Sequence, residues 1–217
     1  MVAIEDSGNT FDPGSRGIDD LCQFIEGQRN LEIGIFLIRQ IMDEVEYVSW
    51  RGQCREAVLW FGAAARVRRR ATVIDGGALL WDETSPPRVE VGPPGAFLYD
   101  PDPAVVRSHL VGLLAHRLDA TLVTEQVAYL TSATEKTTPF ARCFRVLAQV
   151  PFGVRRLRQR LDGEGWRATE ILRRRFPVDP PDLARDLRGA GYVGDQAVSL
   201  LCTRVDDRPV VFICDPR

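Results

Sequence analysis

From Val45 onward apolar and polar residues alternate with a period of two, the pattern of strands with one buried face. Glu46, Val48 and Trp50 fall on one side of an extended chain and Tyr47 and Ser49 on the other; Arg51-Gly52 supplies a turn, and REAVLWFG returns as a second strand. RRRATVIDGGALLW is a third extended stretch, folded back at Asp75 to Gly77, where Asp-Gly between apolar runs signals a hairpin. Asp102 before Pro103 reads as a helix cap, and Val105, Val106, His109, Leu110 and Leu113 carry a helical period to about Leu118. Gln126 to Ser132 and Phe144 to Val150 read as strands, Val154 to Leu161 as a helix ended by Gly163, and Ala168 to Arg174 as a strand. Asp179-Pro180 repeats the cap and opens a helix that stops near Gly189. A closing hairpin runs through Ala197 to Arg204 and Pro209 to Cys214 around Asp206-Asp207. The predicted class is α+β, with mixed, largely antiparallel sheets and a few packed helices.

Residues 1–44 have a different texture. FDPGSRG is turn-like, Asp19 to Gly27 reads as a short helix, and LEIGIFLI at Leu31 to Ile38 is a continuous apolar run of buried-strand type. The expected division is therefore residues 1–44 and 45–217, the second part carrying a loop at 82–95 that holds four of the 14 prolines.

Composition excludes several classes. With 45% hydrophobic and 27% charged residues among 217, the chain is ordinary for a folded globular protein. It has no apolar run of about 18 residues, which argues against a membrane span, and its acidic N-terminus is unlike a secretory signal. Cytoplasm is the expected location. Cys22, Cys54, Cys143, Cys202 and Cys214 are odd in number and widely spaced, without a CxxC pair, so buried free thiols are expected rather than a disulfide framework or a metal site. His109 and His116 share one face of the predicted helix about 10 Å apart along its axis, too far for one ion.

Charge is unevenly placed. The net charge is −2, yet residues 1–50 hold ten acidic and three basic residues, and residues 141–175 hold ten arginines against Asp162, Glu164 and Glu170. In the helix near Val154 to Leu161, Val154, Leu157 and Leu161 form an apolar stripe about 60° wide, and Arg155, Arg156, Arg158 and Arg160 occupy the remaining circumference. In the strand that follows, Arg173 and Arg175 project to one side and Arg174 to the other. Arg155, Arg156, Arg158, Arg160, Arg173 and Arg175 are thus candidate phosphate-binding residues for RNA. The alternative is that they pair with the chain's own acidic segment. Phe152, Trp166 and Phe176 flank them and are expected in the core, which favours recognition of backbone and shape over stacking of bases.

VEYVSWRGQCREAVLWFG at Val45 to Gly62, YDPDPAVVR at Tyr99 to Arg107, AYLTS at Ala128 to Ser132 and TPFAR at Thr138 to Arg142 together resemble one known region. It is the THUMP-like region that follows the catalytic domain in bacterial class I S-adenosylmethionine-dependent methyltransferases. RRRFPVDPPDLARDLR and SLLCTRVDDRPVVFIC are similar in layout, so the resemblance covers residues 45–217. It implies a region that presents RNA or another substrate to a methyltransferase domain, with residues 1–44 as a remnant of the end of that α/β domain. Asp12, Pro13 and Arg16 are the candidates for the family's DPxR-type turn, with a spacing one residue too long, and Asp100 in the YDPDP signature is a candidate ligand residue. S-adenosylmethionine is implied for the complete enzyme but not for this chain, whose start shows no strand followed by a glycine-rich turn. The chain by itself is then expected to be non-catalytic, with RNA and a methyltransferase domain or subunit as partners. Against this stands a structural subunit that packs on a separate methyltransferase and binds no nucleic acid.

Overall fold

The computed structural model describes residues 42–83, 87–188 and 194–216. The readings made for Asp12, Pro13 and Arg16, for the helix from Asp19 and for Leu31 to Ile38 lie outside the described residues. Those described are α+β with mixed sheets, and they form two units, one of residues 42–83 with 102–113, the other of residues 87–101 with 114–216.

The first unit is a four-stranded sheet of β1 (Glu44–Trp50), β2 (Gln53–Trp60), β3 (Arg69–Val73) and β4 (Gly77–Trp81), in the order β2-β1-β3-β4. Both expected hairpins form: Arg51 and Gly52, with φ of 53° and 72°, make the two-residue loop between β1 and β2, whose double positive φ matches the twist of the strands. β1 and β3 pair in parallel, which alternation alone does not reveal. Helix α1 (Pro103–Arg107) lies against β1, β2 and β3, with Ala104 and Val105 fully buried, as are the register partners Ala71 and Leu79.

On the other face two carboxylates are withdrawn from water and paired. Glu44 accepts the backbone N–H groups of Arg66 and Val67 at 2.7 and 3.2 Å and lies 2.7 Å from Arg70 Nε, an ion pair off the line of a hydrogen bond. Glu46 accepts from Trp60 Nε1 at 2.9 Å and from Thr72 Oγ1 at 2.6 Å. Buried charge is tolerated only with such partners.

The single helix expected from Asp102 to Leu118 is in fact two. Asp102 caps α1 by accepting from the Ala104 N–H at 2.8 Å, but α1 ends at Arg107 and α2 begins at Val111 (Val111–Leu118). The Leu110 N–H bonds to the Val105 carbonyl and the His109 N–H to that of Val106, with His109 left-handed at φ 59°, so a Schellman stop closes α1. Ser108 Oγ also donates to the carbonyls of Ala104 and Val105. His109 and His116 therefore do not share a helix face. The same stop ends α2, where Asp119 has φ 53° and the Ala120 N–H bonds to the Ala115 carbonyl.

The second unit is a seven-stranded sheet of β5 (Phe97–Pro101), β6 (Thr121–Thr124), β7 (Val127–Ser132), β8 (Ala141–Pro151), β9 (Trp166–Arg173), β10 (Gln196–Val205) and β11 (Arg208–Cys214), in the order β6-β7-β5-β8-β11-β10-β9. Its pairings are antiparallel except β9 with β10, which helix α4 (Pro180–Arg188) connects as a parallel crossover. On one face α4 and α3 (Val154–Gly163) pack on the sheet, and Leu157, Leu161, Trp166, Phe176, Leu183 and Ile213 share the core. The other face gathers Leu98, Val127, Tyr129, Phe144, Leu201 and Phe212 from strands far apart in the order, so the sheet curls and buries this face against itself.

The stripe read on α3 is the one that packs: Leu157 and Leu161 are fully buried and Val154 partly. Leu157→Ala should lower stability to chemical denaturation by about 2–5 kcal/mol, and Arg155→Ala on the same helix by no more than about 0.5 kcal/mol. Equal effects would show that the stripe does not set the packing.

Candidate nucleic-acid interface

Six arginines were singled out from the sequence, and their environments differ. Arg155 and Arg156 lie in the first turn of α3, exposed and without an ion pair among the described residues. That turn carries no acidic residue and no side-chain cap, so two cations sit at the positive end of the helix dipole. Arg158 is half-buried, and its Nε makes no hydrogen bond among the described residues. Arg160 pairs with Glu164 at 3.3 Å and lies over the Trp166 ring at 5.6 Å. Arg173, at the end of β9, pairs with Asp179 at 2.5 Å. Arg175 is exposed, left-handed at φ 50°, and has no ion pair among the described residues.

An aromatic contact brings some of these together. Phe152, just before α3, meets Phe176 edge to face with centroids 4.6 Å apart. The start of α3 therefore adjoins the β9–α4 connection, and Arg155, Arg156 and Arg175 share that end of the unit. Trp166 and Phe176 are buried and Phe152, half-buried, packs on the same core, as expected.

Arg174 goes the other way, as the period of two predicts. Its Nε and one terminal nitrogen donate to Asp100 Oδ1 at 2.9 and 2.8 Å, it donates to the Pro101 carbonyl at 3.2 Å, and its guanidinium lies 5.3 Å from the Tyr129 ring. Asp100, the candidate ligand residue, is thus held by an arginine 74 positions away. Beside it, Arg142, the register partner of Asp100, makes two 2.7 Å bonds to the two oxygens of Glu170, which also accepts from Ser199 Oγ at 3.3 Å. Those bonds hold the Glu170 carboxyl below its usual range and push Arg142 up, while burial first and the Asp100 charge second push the Tyr129 hydroxyl far up. This network of Asp100, Arg142, Glu170 and Arg174 was invisible in the sequence, because its partners are joined only by the curl of the sheet.

Tyr99, on the opposite side of β5, is buried, and its hydroxyl accepts from the Lys136 N–H at 2.9 Å and donates to the Thr134 carbonyl at 3.1 Å. The YDPDP signature therefore has structural roles: Tyr99 anchors a loop, Asp100 holds Arg174 and Asp102 caps α1.

The remaining chemistry is quiet. Cys143, Cys202 and Cys214 are buried thiols, and burial pushes Cys202 and Cys214 up to about 12, far from the reactive thiolate. Among the described residues no group of His, Cys, Asp and Glu is arranged to hold a metal.

The Glu170–Arg142 pair sets an acid limit. A carboxyl whose pKa is depressed on folding contributes stability that is complete above its unfolded value of about 4.3 and lost as pH falls through the lower folded value. The parent protein should therefore lose more melting temperature between about pH 5 and pH 3 than Glu170→Gln does. Parallel curves would place the acid sensitivity elsewhere.

Comparison with known proteins agrees with the architecture and the sequence resemblance. Residues 141–216 match the THUMP domain-like family. Over 179 residues, 80% of this chain and 48% of the relative, the sequence is 36% identical to an uncharacterized S-adenosylmethionine-dependent methyltransferase of Mycobacterium tuberculosis, found alike in strains CDC 1551 and H37Rv. The chain thus spans about half the length of the curated relatives it matches. A solved structure from Porphyromonas gingivalis W83, titled a "putative methyltransferase", shares the fold with a TM-score of 0.60 at 16% identity, over 81% of this chain and 46% of that one.

Proposed function

Residues 141–216 being THUMP-like, we propose that this chain is the RNA-docking, substrate-presenting region of a cytoplasmic S-adenosylmethionine-dependent methyltransferase. The observation that carries the proposal is the exposure of Arg155, Arg156 and Arg175, cations without local counter-charges among the described residues, the first two of them set where a helix dipole already favours an anion. Arg158, Arg160 and Arg173 extend the basic surface. The pairs Arg160–Glu164 and Arg173–Asp179 are solvent-exposed, so each contributes at most about 1 kcal/mol and yields readily to a competing phosphate. Methyl transfer, and the cofactor that supplies it, belongs on this reading to the rest of the complete protein, with residues 1–44 as the end of the catalytic domain and Asp12, Pro13 and Arg16 as its turn. No described helix is long and apolar enough to cross a membrane. The second reading, a structural subunit without nucleic-acid affinity, draws on those same two ion pairs, which show that part of the cationic surface is matched within the chain.

Salt dependence separates the two. Each phosphate neutralised on a single strand contributes about −0.7 to the slope of log affinity against log salt. Arg155→Gln with Arg156→Gln should reduce the magnitude of that slope by about 1.4 while leaving the melting temperature nearly unchanged, since neither side chain enters the core. An unchanged slope would remove α3 from the RNA surface, and absence of salt-dependent binding by the parent would favour the structural subunit.

Cofactor binding is tested separately. Calorimetry on residues 1–217 should give no heat of micromolar S-adenosylmethionine binding, and a clear isotherm would show that the chain carries a cofactor site of its own.

A further inference from the structure

Trp50 closes the β1–β2 hairpin and is 41% exposed, an uncommon place to leave an indole. Two guanidinium groups lie on it, Arg51 at 4.5 Å and Arg55 at 5.9 Å from the ring centroid. Both arginines are exposed, and neither has an ion pair among the described residues; Glu56, the acid nearest in sequence, pairs with neither.

The backbone departs from regularity twice at this spot, each time at one of these arginines. Arg51 occupies the first position of a turn that needs positive φ at both central residues, where asparagine or glycine is the undemanding choice. Arg55 is the extra residue of a β-bulge: Val48 pairs with Glu56 and Ser49 with Cys54, which leaves Arg55 without a register partner. Bulges re-aim side chains. Irregularities that both set a cation beside one exposed ring are the expected mark of a binding site rather than of packing.

We propose that this hairpin tip binds single-stranded nucleic acid, one unpaired base stacking on the Trp50 indole while Arg51 and Arg55 turn from the ring to the flanking phosphates. An aromatic platform with adjacent cations is the chemistry that recognises an unpaired nucleotide, and any base has the π-face it needs. The inference rests on the RNA-docking reading and adds what α3 lacks, since the aromatics beside its arginines are in the core. A methyltransferase polypeptide seated on the same tip is the competing occupant.

The test uses the full chain, a labelled short oligouridylate and a duplex RNA of equal length. The parent should bind the single strand more tightly than the duplex, with quenching of tryptophan fluorescence. Trp50→Ala should weaken single-strand binding about ten-fold and remove that preference without changing the salt slope, because an indole neutralises no phosphate. Trp50→Phe should retain most of the affinity. Arg51→Asn makes the turn the favoured Asn-Gly, so it should keep or raise the melting temperature while reducing the slope by about 0.7, a result that misfolding cannot mimic. Parent-like binding by Trp50→Ala, with a slope still dependent on Arg155 and Arg156, would overturn this inference and leave the RNA-docking reading standing. Absence of RNA binding by the parent would overturn both. Unchanged RNA binding by Trp50→Ala together with lost association to a methyltransferase polypeptide would reassign the tip to a protein contact.

Discussion

Helices cover one face of the seven-stranded sheet, so the other face has to be buried by the sheet itself. A flat sheet would leave Leu98, Phe144 and Phe212 in water, at about 25 cal/mol for each Å² of apolar surface exposed. The sheet curls until Val123, Val127 and Tyr129 from β6 and β7 share a core with Leu201 and Phe212 from β10 and β11. Irregular registers at Leu122/Thr124, Val198/Ser199 and Ile213/Cys214 supply the bends. Asp100, Arg142, Glu170 and Arg174 carry charge at the end of this same inner face. Pairing across it is what makes their partial burial affordable, and removing one partner would cost more than removing both.

The same geometry decides which arginines are left for a partner. Three follow one another at 173–175, yet Arg174 turns inward to Asp100, Arg173 faces solvent with Asp179, and Arg175, past the end of the strand, has no counter-charge among the described residues. On α3 the Leu157–Leu161 stripe performs the sorting, leaving Arg155 and Arg156 outside. A count of arginines in the segment thus overstates the mobile positive charge, because Arg142 and Arg174 are consumed by the fold.

Turn chemistry and apolar periodicity were legible because both are local. Arg51-Gly52, Asp75 to Gly77 and Asp206-Asp207 mark the hairpins that form, and the α3 stripe is the one that packs. The break at His109 was hidden because a Schellman stop usually announces itself by glycine, whereas here histidine, and after α2 aspartate, adopts the left-handed conformation. Strand β5 was hidden for a related reason: YDPDP is so fully explained as a turn and cap that its first residues do not read as extended. Parallel pairing of β1 with β3 and β9 with β10, and the bond from Arg174 to Asp100, depend on residues far apart in sequence and leave no periodic trace. The Trp50 cluster carried one local signal, an arginine in a position that favours asparagine, and its meaning emerges only with the ring beside it.

On the proposed reading, phosphate contacts from α3 would give affinity and orientation but no sequence information, and stacking on one indole would add tolerance rather than choice. Such a region would select by shape, through a phosphate path at the α3 end of one unit and, separately, an unpaired nucleotide at Trp50 of the other. A fully duplex RNA offers the first and not the second, because its bases are already stacked on one another. Discrimination between RNAs would then arise from where a single-stranded element lies along a folded molecule. Neither contact supplies a base-reading side chain, so this chain would position an RNA without reading its sequence.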